Sequence, residues 1–358
     1  MTSLPAGLTE SATWGEIHAQ PRIWRDWAAP LAAVAGDIRG WIGARKPQQI
    51  WLCGAGTSAY VGDALATGDA RLAPVPTTSL VSAPQDYIAR PGHGLVVQFG
   101  RSGDSSESVA VLDLLDRHRP EWDRLHVTCN PNGALATRPA PGPGEARVLA
   151  LPEATHDAGF AMTSSFSTML LSALACLSDF DAATRLPKLA DTAEALLANP
   201  DVLAIARPER AIFLGSGALA GAARESGLKV LELTAGATMT SWDTALGFRH
   251  GPKAAVNGAT HVFVLLNPDA HTRCYDADIA AEIRAQFPET RVTTLGPGGD
   301  LPLAVTGNPR ADVPLYVLLA QLLGTRWSAE LGLHVDDPFH GRNLSRVVSG
   351  VTFYDYEG

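Results

Sequence analysis

The chain has 358 residues, 46% hydrophobic and 18% charged, with a formal net charge of -9; that is enough for two domains with a core each, and the acidic balance argues against nucleic acid or an anionic membrane as a main partner. Cys53, Cys129, Cys176 and Cys274 are far apart with no C-x-x-C, which reads as reduced thiols in a cytoplasmic protein without structural zinc. The opening M-T-S-L-P-A-G-L-T-E has no basic region before an apolar core, and no run of about 18 apolar residues occurs, so neither secretion nor a membrane span is expected.

Residues 9–45 read as helical, with a break before Pro21 and an apolar face carrying Trp14, Ile17, Ile23, Trp24, Trp27, Leu31, Val34, Ile38 and Trp41. Burying several tryptophans needs a large surface, either of a domain or of a partner subunit. From residue 49 strands alternate with helices. Q-I-W-L-C runs into the glycine turn G-A-G-T-S and a helix, V-P-T-T-S-L near residue 75 is expected as the next strand, and L-V-V-Q-F at Leu95 follows. R-L-H-V-T-C-N-P from Arg124 and A-R-V-L-A-L-P at residue 146 continue the series, with a helical stretch from Phe160 to Leu177 behind them. The alternation predicts an α/β unit, a mostly parallel sheet flanked by helices, with ligands at the C-terminal ends of its strands.

One or two connecting helices are expected between Asp179 and Arg207, and then the scheme repeats. A-I-F-L-G-S-G-A-L-A at residue 211 aligns with I-W-L-C-G-A-G-T-S-A, pairing Gly54 with Gly215 and Gly56 with Gly217. H-V-F-V-L-L at residue 261 takes the place of the Leu95 strand, with a helix at Asp278–Gln286. The expected division is a helical segment at 1–46, α/β units at 47–180 and 181–332, and a turn-rich tail at 333–358 that folds over a site.

The link after the Leu95 strand, F-G-R-S-G-D-S-S, offers glycines for close backbone approach, hydroxyl donors and a helix N-terminus with Ser105 or Ser106 as cap, a combination that suits a phosphate. A plain capped polar turn is the alternative. The second unit has N-P-D-A-H-T there, so only the first should hold the anion. Thr57 and Ser58 read as further hydroxyls on the same ligand, and A-M-T-S-S-F-S-T from Ala161, with Thr163 and Ser164, either reaches that crevice or simply starts a helix. G-A-G-T-S falls short of a nicotinamide fingerprint, since Ala59 replaces the third glycine and no acidic residue closes a second strand. No histidine has metal-ligand spacing, so no metal or cofactor is expected.

Glu225 and Lys229 read as a solvated i,i+4 pair. Glu232, flanked by Val230, Leu231 and Leu233, sits in an apolar setting that suits a proton-shuttling base. His250, in the turn G-F-R-H-G-P-K, is a candidate acid/base near neutral pH. His156-Asp157 is a second candidate pair.

The two units together resemble the double SIS (sugar isomerase) fold, doubly wound and flavodoxin-like, over nearly the whole chain. The strings E-I-H-A-Q-P-R-I-W, E-A-T-H-D-A-G-F-A-M-T-S-S, G-A-A-R-E-S-G-L-K-V-L-E-L-T-A-G, G-F-R-H-G-P-K and N-L-S-R-V-V-S-G-V-T resemble its AgaS-type branch, described as galactosamine-6-phosphate deaminase/isomerase or tagatose-6-phosphate ketose/aldose isomerase. The resemblance implies Glu232 as the base and His250 as the ring opener, in its own or a partner subunit's site of a homodimer. It implies phosphate contacts from Ser58, Ser102 and Ser105 with Arg101 beside them; Gly56, Thr57, Asp104, Thr163 and Ser164 are the further candidate substrate contacts of this reading. Arg346 lies nearest the position of the related synthase's tail lysine and, staying charged, cannot form an imine. The implied reaction turns galactosamine 6-phosphate into tagatose 6-phosphate and ammonia. Plain isomerisation, deglycation of an amine-sugar phosphate and, among non-enzymes, a phosphosugar sensor are the alternatives, although the residues before the first strand hold no basic recognition helix.

Overall fold

The structure, a computed structural model, describes residues 4–341 and 344–358. Helix α1 (Ala12–Arg45) opens the chain and is followed by β1 (Gln49–Cys53), α2 (Thr57–Leu65), β2 (Leu72–Pro74), α3 (Thr77–Ser82), β3 (Gly94–Gly100) and α4 (Ser106–His118). Next come β4 (Asp123–Thr128), α5 (Ala134–Thr137), β5 (Ala146–Ala150), α6 (Ser164–Leu177), α7 (Ala182–Leu197) and α8 (Pro200–Leu203). The second half holds β6 (Arg210–Gly215), α9 (Ala218–Leu233), β7 (Met239–Asp243), β8 (Thr260–Leu265), α10 (Ala270–Gln286), β9 (Arg291–Leu295) and α11 (Pro309–Glu330). All strand neighbours are parallel, in the orders β2-β1-β3-β4-β5 and β7-β6-β8-β9. This is the doubly wound α/β architecture that the alternation predicts, with ligand crevices where the strand order reverses beside β1 and β6. Among the described residues no helix is long and apolar enough to cross a membrane.

Several local expectations are corrected. Helix α1 does not break before Pro21 but runs through both Pro21 and Pro30. A proline cannot donate to the carbonyl four residues back, and here the Gln20 side chain does so instead, its Nε2 donating to Ile17 O at 3.2 Å. V-P-T-T-S-L is not a strand: β2 ends at Pro74, and Pro76 stands at the N-cap of α3. Helix α10 starts at Ala270 rather than Asp278, and β7, β9 and α11 carry no expectation from the sequence. Helix α11 is buried on nearly every side, which erases the periodicity that would reveal it.

The tryptophan face of α1 covers this chain's own α6 and α7. Trp24 Nε1 donates to Ser167 Oγ at 3.3 Å and Trp27 Nε1 to Ser172 Oγ at 2.9 Å, so the buried Trp24 ring and the half-buried Trp27 ring each keep a partner for the indole N–H.

The internal repeat is geometric as well as sequential. Gly56 and Gly217, which open α2 and α9, have φ of 54° and 61°, a region that favours glycine. A third glycine joins the halves: a Cβ at Gly221 would lie 2.7 Å from the Ala64 backbone nitrogen. Helix α9 of the second unit therefore lies directly against α2 of the first. Arg224 fastens the same junction, pairing with Asp63 at 2.7 Å between the rings of Tyr60 and Trp242.

Candidate active site

A cavity of about 430 Å³ opens at the C-terminal ends of β1 and β3. One end is hydroxyl-lined and cationic. Gly56, Thr57 and Ser58 come from the start of α2, and Arg101, Ser102 and Ser105 from the loop into α4. Ser105 is the N-cap: its Oγ accepts the Ser108 N–H at 3.3 Å and donates to Ser108 Oγ at 2.8 Å. The tail supplies the outer wall with Leu344 to Val348, and Val348 O accepts the Ser106 N–H at 3.3 Å. Arg101 is buried and Nη1 donates to Gly159 O and Phe160 O at 3.2 and 3.3 Å. Burial, then the neighbouring Arg346 charge, lowers its pKa from the usual value. Two cations in mutual repulsion beside the hydroxyls of Ser58 and Ser102 and the N-terminus of α4 favour a bound dianion.

The other end belongs to α9. Glu225, Lys229 and Glu232 share one helix face, and Lys229 and Glu232 line the cavity. The Glu225–Lys229 pair is not solvated: both are fully buried. Lys229 Nζ donates to Glu232 Oε2 at 2.6 Å and lies 3.5 Å from Glu225 Oε1. Burial pushes Glu225 up to about 8 in spite of Lys229; burial lowers Lys229, yet the two carboxyl groups outweigh it and leave its pKa raised. Near neutral pH the pair therefore holds a protonated Glu225 and a charged Lys229, whose Nζ aims the Glu232 side chain. Glu232 keeps 23% of its side chain exposed, toward the cavity. Lys229 was missed because a charge at i,i+4 normally faces water. The signal lay in the small residues around it, Gly221, Ala222, Ala223, Ser226 and Gly227, a face built for close packing.

Other expected contacts lie elsewhere. Thr163 and Ser164 do not line the cavity. Their hydroxyls, with that of Ser165, donate to the buried carboxylate of Asp157, which also accepts the three N–H groups of residues 163–165 at 2.8–3.0 Å. Asp157 thus caps α6 and is not paired with His156, which is exposed. Burial, then the charges of Arg346 and Arg101, lowers the His156 pKa. Asp104 is likewise a brace, accepting the Ala134 N–H at 2.7 Å and the Asn130 amide at 3.3 Å. His250 is exposed in a turn after β7, outside its own chain's cavity, flanked by Arg249 and Lys253, which both pair with Glu282. Among the described residues no group of three His, Cys, Asp or Glu side chains is placed to hold a metal.

In the corresponding crevice of the second unit a side chain of the chain itself stands among the donors. The buried Asp276 carboxylate accepts Ser216 Oγ at 2.7 Å and the Asn267 N–H at 2.9 Å, so an internal carboxylate takes the donors that an anion would use.

No family model matches the chain. The D-galactosamine-6-phosphate deaminase AgaS of Escherichia coli is 36% identical over 98% of both chains. The protein of that name from Shewanella sp. (strain ANA-3) is 35% identical over 95% of this chain and 91% of its own. The crystal structure of tagatose-6-phosphate ketose/aldose isomerase from Escherichia coli superposes with a TM-score of 0.87 at 34% identity, covering 99% of this chain and 100% of that one.

Proposed function

Because the chain belongs to the AgaS-type branch of the SIS (sugar isomerase) family and is a phosphosugar isomerase/deaminase, we propose that it converts galactosamine 6-phosphate to tagatose 6-phosphate and ammonia in the cytoplasm. The observation that carries this is the meeting in one cavity of the first unit's hydroxyls and arginine with Glu232 of the second.

The 6-phosphate binds Ser58, Ser102 and Ser105 with Arg101 and Arg346, which fixes the sugar by contacts remote from the reacting carbons. Glu232, aimed by Lys229, takes the C2 proton of the open-chain sugar and returns it at C1 through an enolamine. The product is a C2 imine, which water hydrolyses to the ketose and ammonia. With a hydroxyl at C2 the same transfer is plain aldose/ketose isomerisation, the reading favoured by the name of the solved Escherichia coli structure. The test is ammonia release from galactosamine 6-phosphate and glucosamine 6-phosphate. Release is expected from the first; binding of both without ammonia from either would remove the deaminase and leave the isomerase.

Ring opening falls to His250 of the partner subunit in a homodimer. Supporting this, β7 is an edge strand, and the stretch leading to His250 exposes Met239, Trp242 and Leu246 by 59, 45 and 51%. Mixing Glu232→Gln and His250→Asn subunits, each inactive alone, should restore about a quarter of wild-type activity, because half of random dimers then hold one intact site. No recovery after subunit exchange would place His250 outside the partner's chemistry.

A further inference from the structure

Behind Arg101 lies a carboxyl cluster that the proposed chemistry leaves unused. The stretch 158–160 is gripped from two sides. On one, Gly159 O and Phe160 O accept from Arg101 Nη1. On the other, Glu16 Oε1 of α1 accepts the N–H groups of Ala158 and Gly159, the second at 3.3 Å. Glu16 Oε2 is buried without a hydrogen-bond partner. Asp336 completes the frame: its side chain accepts the Ala12 and Thr13 N–H groups at 2.9 and 2.8 Å, and its carbonyl accepts the Phe160 N–H at 2.8 Å. There is no slack, since a Cβ at Gly159 would lie 2.3 Å from Thr13 Oγ1 and 3.2 Å from Glu16 Oε2.

We infer that Glu16 is a positioning residue for substrate binding: its carboxylate fixes the 158–160 peptide so that the Gly159 and Phe160 carbonyls aim the Arg101 guanidinium at the phosphate. The inference rests on the phosphosugar reading and adds to it a residue more than 80 positions away from Arg101 in the chain. Peptide carbonyls hold a guanidinium well only if the peptide itself cannot turn, and Glu16 removes that freedom. Burial, then the Asp157 charge, raises Glu16 to about 7, with Asp336 adding to the rise and the two N–H groups opposing it. Asp157, Asp336 and Arg101 are the charged groups facing it, with His334 beside Asp336 and His156 beside Arg101. Below neutral pH Glu16 takes up a proton, becomes a weaker acceptor and loosens its grip.

The test compares Glu16→Ala, Glu16→Gln, Arg101→Ala and the double alanine variant by KM, kcat and the inhibition constant of inorganic phosphate. Glu16→Ala should raise KM and the phosphate constant about tenfold with kcat within about twofold. Glu16→Gln keeps the acceptor oxygen but not the charge, so its KM should rise only about threefold at pH 8 and meet the wild-type value below pH 7. In the Arg101→Ala background, Glu16→Ala should add less than about twofold. An undiminished effect in that background, a fall in kcat at constant KM, or identical Ala and Gln variants would overturn the proposal. A wild type that binds phosphate but releases no ammonia would overturn only the deaminase reading, with Glu16 judged on the phosphate constants; one that binds neither phosphate nor phosphosugar overturns both.

Discussion

Glu232→Gln is expected to lower kcat about a thousandfold, within the range that a positioned general base contributes, while KM changes by less than about threefold because the phosphate contacts are untouched. The amide matches the carboxylate in size but cannot take a proton from C2. Lys229 keeps the buried Glu225, 3.5 Å away, as a carboxyl partner in the variant. The variant should therefore fold and bind, and separate chemistry from recognition. Solvent deuterium exchange at C2 of the bound sugar is the direct measurement. Exchange that persists at the wild-type rate in the Gln variant would move the base elsewhere on α9.

The largest loss of stability should follow Asp157→Ala, at about 3–5 kcal/mol. The carboxylate accepts six hydrogen bonds, from the N–H groups and hydroxyls of Thr163, Ser164 and Ser165. All of these residues are buried, so alanine leaves their donors unmet. Thr163→Ala and Ser164→Ala remove one donor each and should cost only about 1 kcal/mol, with KM unchanged. Urea unfolding and phosphosugar KM on the three variants separate the roles. A raised KM in the threonine or serine variant at full stability would restore them as substrate contacts, and an unchanged unfolding midpoint for Asp157→Ala would refute its capping role.

Much of the cavity was legible from short stretches of chain. The strand that ends at Cys53, the glycine that turns into α2, and the Ser105 cap on α4 are each decided within a few residues by backbone conformation and local hydrogen bonding, so the hydroxyl-lined end could be placed before any fold was known. The pairing of Gly56 with Gly217 likewise survives as matched positive φ angles. Where reading failed, a polar group had more than one available partner. The hydroxyls after Ala161 could serve a ligand or a cap, and Asp157 takes them. Asp104 could face the sugar, and the N–H of Ala134 takes it. Lys229 could face water, and the approach of α9 to α2 and α11 buries it.

The sequence by itself determined the alternating α/β plan, the tandem repeat, the anion-suited loop of the first unit and Glu232 as its candidate base, because each depends on residues near one another in the chain. Only the tertiary structure decided which polar groups are free to meet a substrate. Glu16 grips residues 158 and 159 from more than 140 positions away, and Gly221 lets α9 reach the cavity of the other unit. Burial and hydrogen-bond partnership come from packing distant segments together, and the free energy of a buried charge depends on those neighbours rather than on its place in the sequence.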